Sequence, residues 1–76
     1  MTEAEFVAGA QQLLHSPFWQ QLERTMRDRA VARFEASAAA DDETRREAHM
    51  QLMALKNIRR ECENRIAKYE HDRKAP

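Results

Sequence analysis

Glycine, proline and cysteine are scarce in this chain of 76 residues, which has one Gly, two Pro and one Cys. A single cysteine cannot form an intrachain disulfide, which excludes a disulfide scaffold and fits a reducing compartment. One glycine is also too few for a phosphate-binding loop. No apolar run approaches the roughly 18 residues that a membrane span needs, and the first residues lack the features of a secretion signal. We therefore expect a cytoplasmic protein that does not enter a membrane.

Large apolar residues are few as well. Leu, Ile, Val and Phe together number 12, whereas Ala alone numbers 13. A chain of this length buries only about 60% of its unfolded surface, so a lone monomer is expected to be marginally stable. Association with copies of itself or with a larger protein would supply the missing buried area. We therefore expect an oligomer or a complex.

Charge of either sign is plentiful but balanced, with 13 Lys and Arg against 13 Asp and Glu. A neutral chain has no general attraction to nucleic acid. Acidic residues are also interleaved with the arginines, which is typical of solvated helices or salt-bridged interfaces. Nucleic acid is therefore not the expected partner.

Local signals predict where the first two helices begin. Thr2 and Glu5 form a Thr-x-x-Glu capping box, which predicts a helix over about 3–14. Ser16 is a good N-cap, and Pro17 suits the first helical position, where its missing N–H costs nothing. The pair predicts a firm boundary and the start of a second helix.

The second helix is predicted over about 17–38 and the third over about 42–72. Three candidate N-caps precede the third helix: Asp41, Asp42 and Thr44, the last in a capping box with Glu47. They favour a turn between the two helices. The alternative is one unbroken helix from 17 to 73, since alanine is the best helix former and no Gly or Pro interrupts this stretch.

Apolar stripes on the two long helices define the expected core. In the second helix the stripe consists of Phe18, Trp19, Leu22, Met26, Ala30 and Phe34. In the third helix it consists of Ala48, Leu52, Leu55, Ile58, Cys62, Ile66 and Tyr69. Both sets fall on one face at helical spacing, which indicates that the two faces pack together.

Folding the chain at about residues 39–41 brings these stripes into contact, and the first helix has the right length to cover the end of the third. The expected neighbours across the pair are Leu22 with Ile58 and Trp19 with Cys62. The sequence therefore predicts an all-α fold, an antiparallel helical hairpin with a short N-terminal helix. We expect one small domain over 1–76 with a frayed tail at 73–76.

Residues that could carry chemistry are isolated from one another. His15, His49, His71 and Cys62 do not recur at the spacings of a metal site, so no metal site is predicted. Cys62 lies on the apolar stripe, where a buried thiol is poorly ionised and unreactive. No catalytic, cofactor-binding or metal-ligating residue is assigned, and we expect a protein that is not an enzyme.

Partner binding is the function with positive signals. Met50 and Met53 lie opposite the apolar stripe of the third helix, where they form a second apolar surface of an adaptable residue type. Phe18 and Trp19 begin the second helix, and Trp often anchors interfaces, although Trp19 could equally close the core against Cys62. Arginines would set the register with a partner through charge pairing. The predicted partner-binding residues are Phe18, Trp19, Arg29, Arg33, Arg45, Arg46, Met50 and Met53.

The segment from Leu13 to Trp19, the break at Asp41–Glu43 and the pattern from Ala48 to Arg59 resemble a known group. They are similar to small helical-hairpin proteins encoded among the packaging and head genes of tailed bacteriophages. The resemblance implies a small virion or head-assembly component, found in the bacterial cytoplasm and the virion, that docks on a larger ring or shell protein. It brings no catalytic residues. The alternative is a small regulator that binds nucleic acid or inhibits a host enzyme.

Overall fold

The computed structural model describes residues 1–74 and contains three helices over that range. They are α1 (Glu3–His15), α2 (Pro17–Ala36) and α3 (Asp42–Lys74), and no strand occurs within the described residues. The all-helical prediction is confirmed. α3 continues through Arg73 and Lys74, where the sequence predicted a frayed end. The rest of that predicted tail, residues 75–76, lies outside the described residues.

The predicted caps at the starts of α1 and α2 are both present. The Thr2 hydroxyl accepts a hydrogen bond from the Glu5 N–H, and the Glu5 carboxylate accepts one from the Thr2 N–H, each at 3.1 Å. The Ser16 hydroxyl accepts a bond from the Trp19 N–H at 3.3 Å, and Pro17 is the first residue of α2. These bonds satisfy N–H groups that a helix start leaves without partners, which is why both boundaries were predictable.

A turn separates α2 from α3, so the alternative of one unbroken helix is wrong. The Asp41 carboxylate caps α3 by accepting a hydrogen bond from the Thr44 N–H at 3.1 Å. Thr44 is therefore inside the helix, and the capping box predicted from Thr44 and Glu47 is wrong. Asp41 is favoured because its side chain reaches the free N–H groups one turn earlier. Glu47 is left to contact α2.

Polar contacts join α2 to α3 at several levels. Near the turn, Arg33 donates to the Glu47 carboxylate at 2.9 Å and to the Gln51 side-chain oxygen at 3.5 Å. Farther from the turn, Arg59 donates to the carboxylate of Glu23. Residues late in α2 thus contact residues early in α3, and residues early in α2 contact residues later in α3.

Arg65 makes the polar contacts between α1 and the distal half of α3. Arg65 donates to the Glu3 carboxylate at 2.7 Å and to the Glu61 carboxylate at 3.2 Å. Its guanidinium also lies over the Phe6 ring, 4.0 Å from the centroid. A single side chain therefore combines a cation–π contact with two ion pairs at the α1–α3 junction.

The core is narrow and built largely of small residues. The buried hydrophobic residues are Val7, Ala10, Trp19, Ala30, Ala48, Leu55 and Cys62. Ala30 and Ala48 are 0% exposed, and no large side chain in the described chain is completely buried. The molecule is elongated, measuring 56 × 24 × 19 Å. Its radius of gyration is 16.4 Å, whereas a compact domain of this length has about 11 Å.

Several residues of the predicted apolar stripes are half exposed instead of buried. They are Leu22, Met26, Phe34 and Ile58, with 38–45% of their surface exposed. The expectation that these side chains fill the core is corrected. Two packed helices bury only the line along which they touch, and side chains on either flank of that line stay partly in solvent.

Ala30 tests how closely the two long helices pack. Replacing it by Leu (Ala30→Leu) inserts three heavy atoms where the side chain is completely buried. We expect a loss of about 1–3 kcal/mol in the free energy of unfolding because overpacking forces the helices apart. The matched control is Ala32→Leu, since Ala32 is exposed. Urea unfolding followed by Trp19 fluorescence checks both, and equal stability of the two variants would contradict close packing.

The Asp41 cap predicts that the stability of the fold decreases in acid. Hydrogen bonds from Thr44 lower the pKa of Asp41. The Asp41 carboxylate therefore binds a proton more readily in the unfolded chain than in the folded one. The stability from this cap is present at neutral pH and is lost as pH falls through the folded-state pKa of Asp41. Asp41→Asn should reduce the loss of stability between neutral pH and about pH 3, whereas Asp42→Asn at the exposed neighbouring position should not. Thermal unfolding across that range measures the difference.

Candidate partner-binding surfaces

The eight predicted partner-binding residues do not form one continuous surface. Trp19 lies in the core, Arg33 and Arg45 contact other parts of the chain, and the remaining residues divide between α2 and α3. Phe18 and Arg29 are on α2, whereas the others are on α3.

Trp19 is buried in the core of the single chain, the position that the core interpretation expects. Only 9% of its surface is exposed, and its indole Nε1 has no hydrogen-bond partner among the described residues. Its neighbour Phe18 is 77% exposed. Successive helical residues point about 100° apart, so only one ring of an adjacent aromatic pair can enter a narrow core. The sequence contains no signal for which of the two does so.

Two of the four predicted arginines act within the chain. Arg33 binds Glu47 and Gln51, as described above. Arg45 donates to the Ser37 hydroxyl at 3.0 Å, and its guanidinium lies 5.5 Å from the centroid of the Phe34 ring. Both therefore stabilise the end of the molecule at the turn.

Arg29 and Arg46 are exposed, and neither forms an ion pair with any residue in 1–74. Their guanidinium groups are therefore available to a carboxylate or an aromatic ring of another molecule. Arg46 lies one turn before Met50, while Arg29 lies on α2. The two arginines would thus serve different surfaces.

Helical spacing places Met50 and Met53 on the side of α3 opposite its buried residues Ala48, Leu55 and Cys62. Met50 is 62% exposed, Met53 is half buried and the adjacent Ala54 is exposed. We call Met50, Met53 and Ala54 the α3 methionine surface. Flexible thioether side chains can adapt to irregular partner surfaces, which makes such a cluster suited to binding.

A second apolar surface crosses from α2 to α3. Because Arg33 contacts Gln51, both side chains face the same side of the α2–α3 pair. Met26 lies seven residues before Arg33, and Ile58 lies seven residues after Gln51. Seven residues are nearly two helical turns, so Met26 and Ile58 face that side too. Leu22, one turn before Met26, and Phe18, one turn before Leu22, continue the same row.

We call Phe18, Leu22, Met26 and Ile58 the α2–α3 patch. Their exposed fractions are 77%, 38%, 40% and 42%. Sequence reasoning assigned the last three to the core and so missed this surface. For Leu22 and Met26 the width of the α2 stripe was the available signal, since a stripe of about 160° is wider than the contact line of one helix pair can cover.

Glu23 was also not identified from the sequence as a buried acidic residue. Glu23 is 6% exposed and accepts a hydrogen bond from Arg59, whose side chain is 45% exposed. This bond raises the pKa of Arg59 above its ordinary value. Glu23 occupies the apolar face of α2, one turn after Trp19, and that position was the available signal. A buried carboxylate needs such a partner because an unpaired charge is costly to desolvate.

No grouping of side chains suggests bound metal within residues 1–74, where no three His, Cys, Asp or Glu residues converge. The most apolar depression is an open one of about 250 Å³ between α1 and α3, lined by Phe6, Gly9, Ala10, Leu13 and Cys62 among others. None of the helices described is long and apolar enough to cross a bilayer. Comparisons with protein-family models, curated proteins and solved structures find no match to this chain.

Glu23 and Glu63 provide a matched test of burial, because both carboxylates approach Arg59. Glu23→Gln should lower the free energy of unfolding by about 1–3 kcal/mol, since it removes a charged hydrogen bond from a buried site. Glu63→Gln removes an exposed contact at 3.8 Å and should change stability by less than about 0.5 kcal/mol. Urea unfolding followed by circular dichroism measures both, and similar losses would show that the burial of Glu23 contributes little.

Proposed function

We propose that the protein is a non-enzymatic interaction protein that docks its α3 methionine surface onto a larger protein. The observation that carries the proposal is the exposure of Met50, beside the half-buried Met53, on the side of α3 opposite its buried residues Ala48 and Leu55. Removing large apolar side chains from water is favourable, and this chain has few such side chains. Apolar residues that remain together on the surface therefore indicate a binding site.

The small core supports the same conclusion. Three of the seven buried hydrophobic residues are alanines, which bury little apolar area each. Any molecule that binds only the folded state adds its binding free energy to the stability of that state. A docked partner would therefore supply stabilisation that the narrow core does not.

The proposal includes an antiparallel hairpin of α2 and α3, with α2 as the support that holds α3 straight. The order of the contacts supports this arrangement, because Arg33 meets Glu47 near the turn and Glu23 meets Arg59 farther away. A helix supported along one face can present its opposite face without reorganisation, which lowers the entropic cost of binding.

Arg46 would set the register of the docked surface. It is exposed, lies one turn before Met50, and forms no ion pair within the described residues. An acidic residue at the edge of the partner's groove would pair with it. Charges at an interface rim direct orientation more than they add affinity.

The kind of partner in this proposal is taken from the resemblance to small hairpin proteins of phage packaging and head genes. In this proposal the chain is a head-assembly component that docks on a ring or shell protein in the bacterial cytoplasm and remains in the virion. Helix docking into an apolar groove is the mechanism that fits both the resemblance and the α3 methionine surface.

The test replaces both methionines, as Met50→Glu with Met53→Glu, and measures binding to the ring and shell proteins encoded beside the gene. Calorimetry should show at least about tenfold weaker binding because two apolar contacts are lost. Gln11→Glu with Gln12→Glu adds the same charge at exposed positions of α1 and should bind normally.

Two results would contradict the proposal. One is unchanged affinity of the methionine variant while circular dichroism shows intact helices. The other is binding that weakens steeply with salt, which is typical of phosphate contacts and would favour the nucleic-acid alternative.

A further inference from the structure

We propose that a second copy of this chain docks on the α2–α3 patch, with the two α2 helices antiparallel about a two-fold axis. The inference builds on the proposed function, which treats the protein as part of an assembly. It concerns a different surface, so the α3 methionine surface remains free for the larger partner.

The α2–α3 patch has the composition of an interface centre. Its four residues are apolar, and ion pairs lie along α3 on both sides of Ile58. Arg33 and Glu47 form the pair toward the turn, and Arg65 with Glu61 and Glu3 forms the cluster at the other end. An apolar centre between polar rims is the usual anatomy of a protein interface.

The chain exposes more area than a compact monomer of its mass, by enough to supply one side of a dimer interface. The chain exposes 6008 Å², whereas a compact monomer of 8.9 kDa exposes about 4,800 Å² by the usual scaling with mass. The excess is about 1,200 Å². A standard interface removes about 800 Å² from each partner, and homodimers often remove more.

The row of exposed residues on α2 can pair with the same row on a second copy that runs in the opposite direction. Leu22 and Met26 are four residues apart, and Phe18 and Arg29 lie at nearly equal distances outside them. When two such helices run antiparallel, Leu22 faces the second copy's Met26, and Phe18 faces the second copy's Arg29. A two-fold axis makes each of these pairs occur twice.

Pairing Phe18 with Arg29 of the second copy would cover an exposed ring and give the guanidinium a contact partner. Phe18 is 77% exposed, and Arg29 is exposed without an ion pair in the described chain. An arginine over an aromatic face is a favourable contact. Within the chain, Arg45 over Phe34 and Arg65 over Phe6 already form this contact.

The α3 helix places Ile58 at the centre of this arrangement. Because Glu23 contacts Arg59, the middle of the row from Leu22 to Met26 lies level with Ile58. A two-fold axis through that level brings Ile58 opposite the second copy's Ile58. The interface then has an apolar layer across both helices.

The first experiment compares molecular mass by sedimentation at micromolar concentration. The unaltered protein should sediment at twice 8.9 kDa, and Leu22→Glu with Met26→Glu should raise the dimer dissociation constant at least about tenfold. Val31→Glu is the control, since Val31 is on the same helix and its exposed fraction of 39% is close to those of Leu22 and Met26. A monomeric unaltered protein, or equal effects of the two variants, would overturn the proposal.

The second experiment does not depend on a destabilising variant. Ile58→Cys should form an intermolecular disulfide under mild oxidation, because the two copies would bring these positions together at the axis. Val31→Cys, at a similarly exposed position, should crosslink much more slowly, and Cys62 is buried in the unaltered chain. Equal rates, or no crosslinking of Ile58→Cys, would overturn this surface while leaving the α3 methionine surface to be judged by its own binding test.

Discussion

The fold depends on the small, fully buried side chains of Ala30 and Ala48, one in each long helix. Small residues let two helix backbones approach closely, but they contribute little apolar area to the core. The larger residues therefore lie to either side of the contact line, where they stay half exposed. An elongated molecule of 56 Å with a narrow core follows from that arrangement.

Arginine compensates for the narrow core by joining the helices through their flanks. Arg33 and Arg59 join α2 to α3, and Arg65 joins α1 to α3 through Glu3 and Phe6. A planar guanidinium can bind a carboxylate and cover an aromatic ring at the same time, which lysine does poorly. These contacts favour one register of the helices more than they add stability, because most of them face solvent.

Two apolar surfaces remain outside the core, and they are of different kinds. The α3 methionine surface has two unbranched thioether side chains, lies on a single helix and is bordered by Arg46, which suits a partner with a groove. The α2–α3 patch spans two helices and is self-complementary, which suits a second copy. In the proposed assembly, a dimer presents one α3 methionine surface on each copy, and binding a symmetric ring or shell at two points would raise the overall affinity.

The sequence alone determined the three helices and the starts of α1 and α2, because the Thr2–Glu5 and Ser16–Pro17 caps act within one turn of chain. It also placed Met50 and Met53 on the side of α3 opposite a regular apolar stripe, which is a matter of helical spacing alone. Only the tertiary structure decided that Trp19 enters the core while Phe18 does not, that Glu23 is buried beside Arg59, and that Leu22, Met26 and Ile58 remain half exposed. Those outcomes depend on where the contact line between two helices falls, and periodicity defines an apolar face without defining which part of that face a neighbouring helix covers.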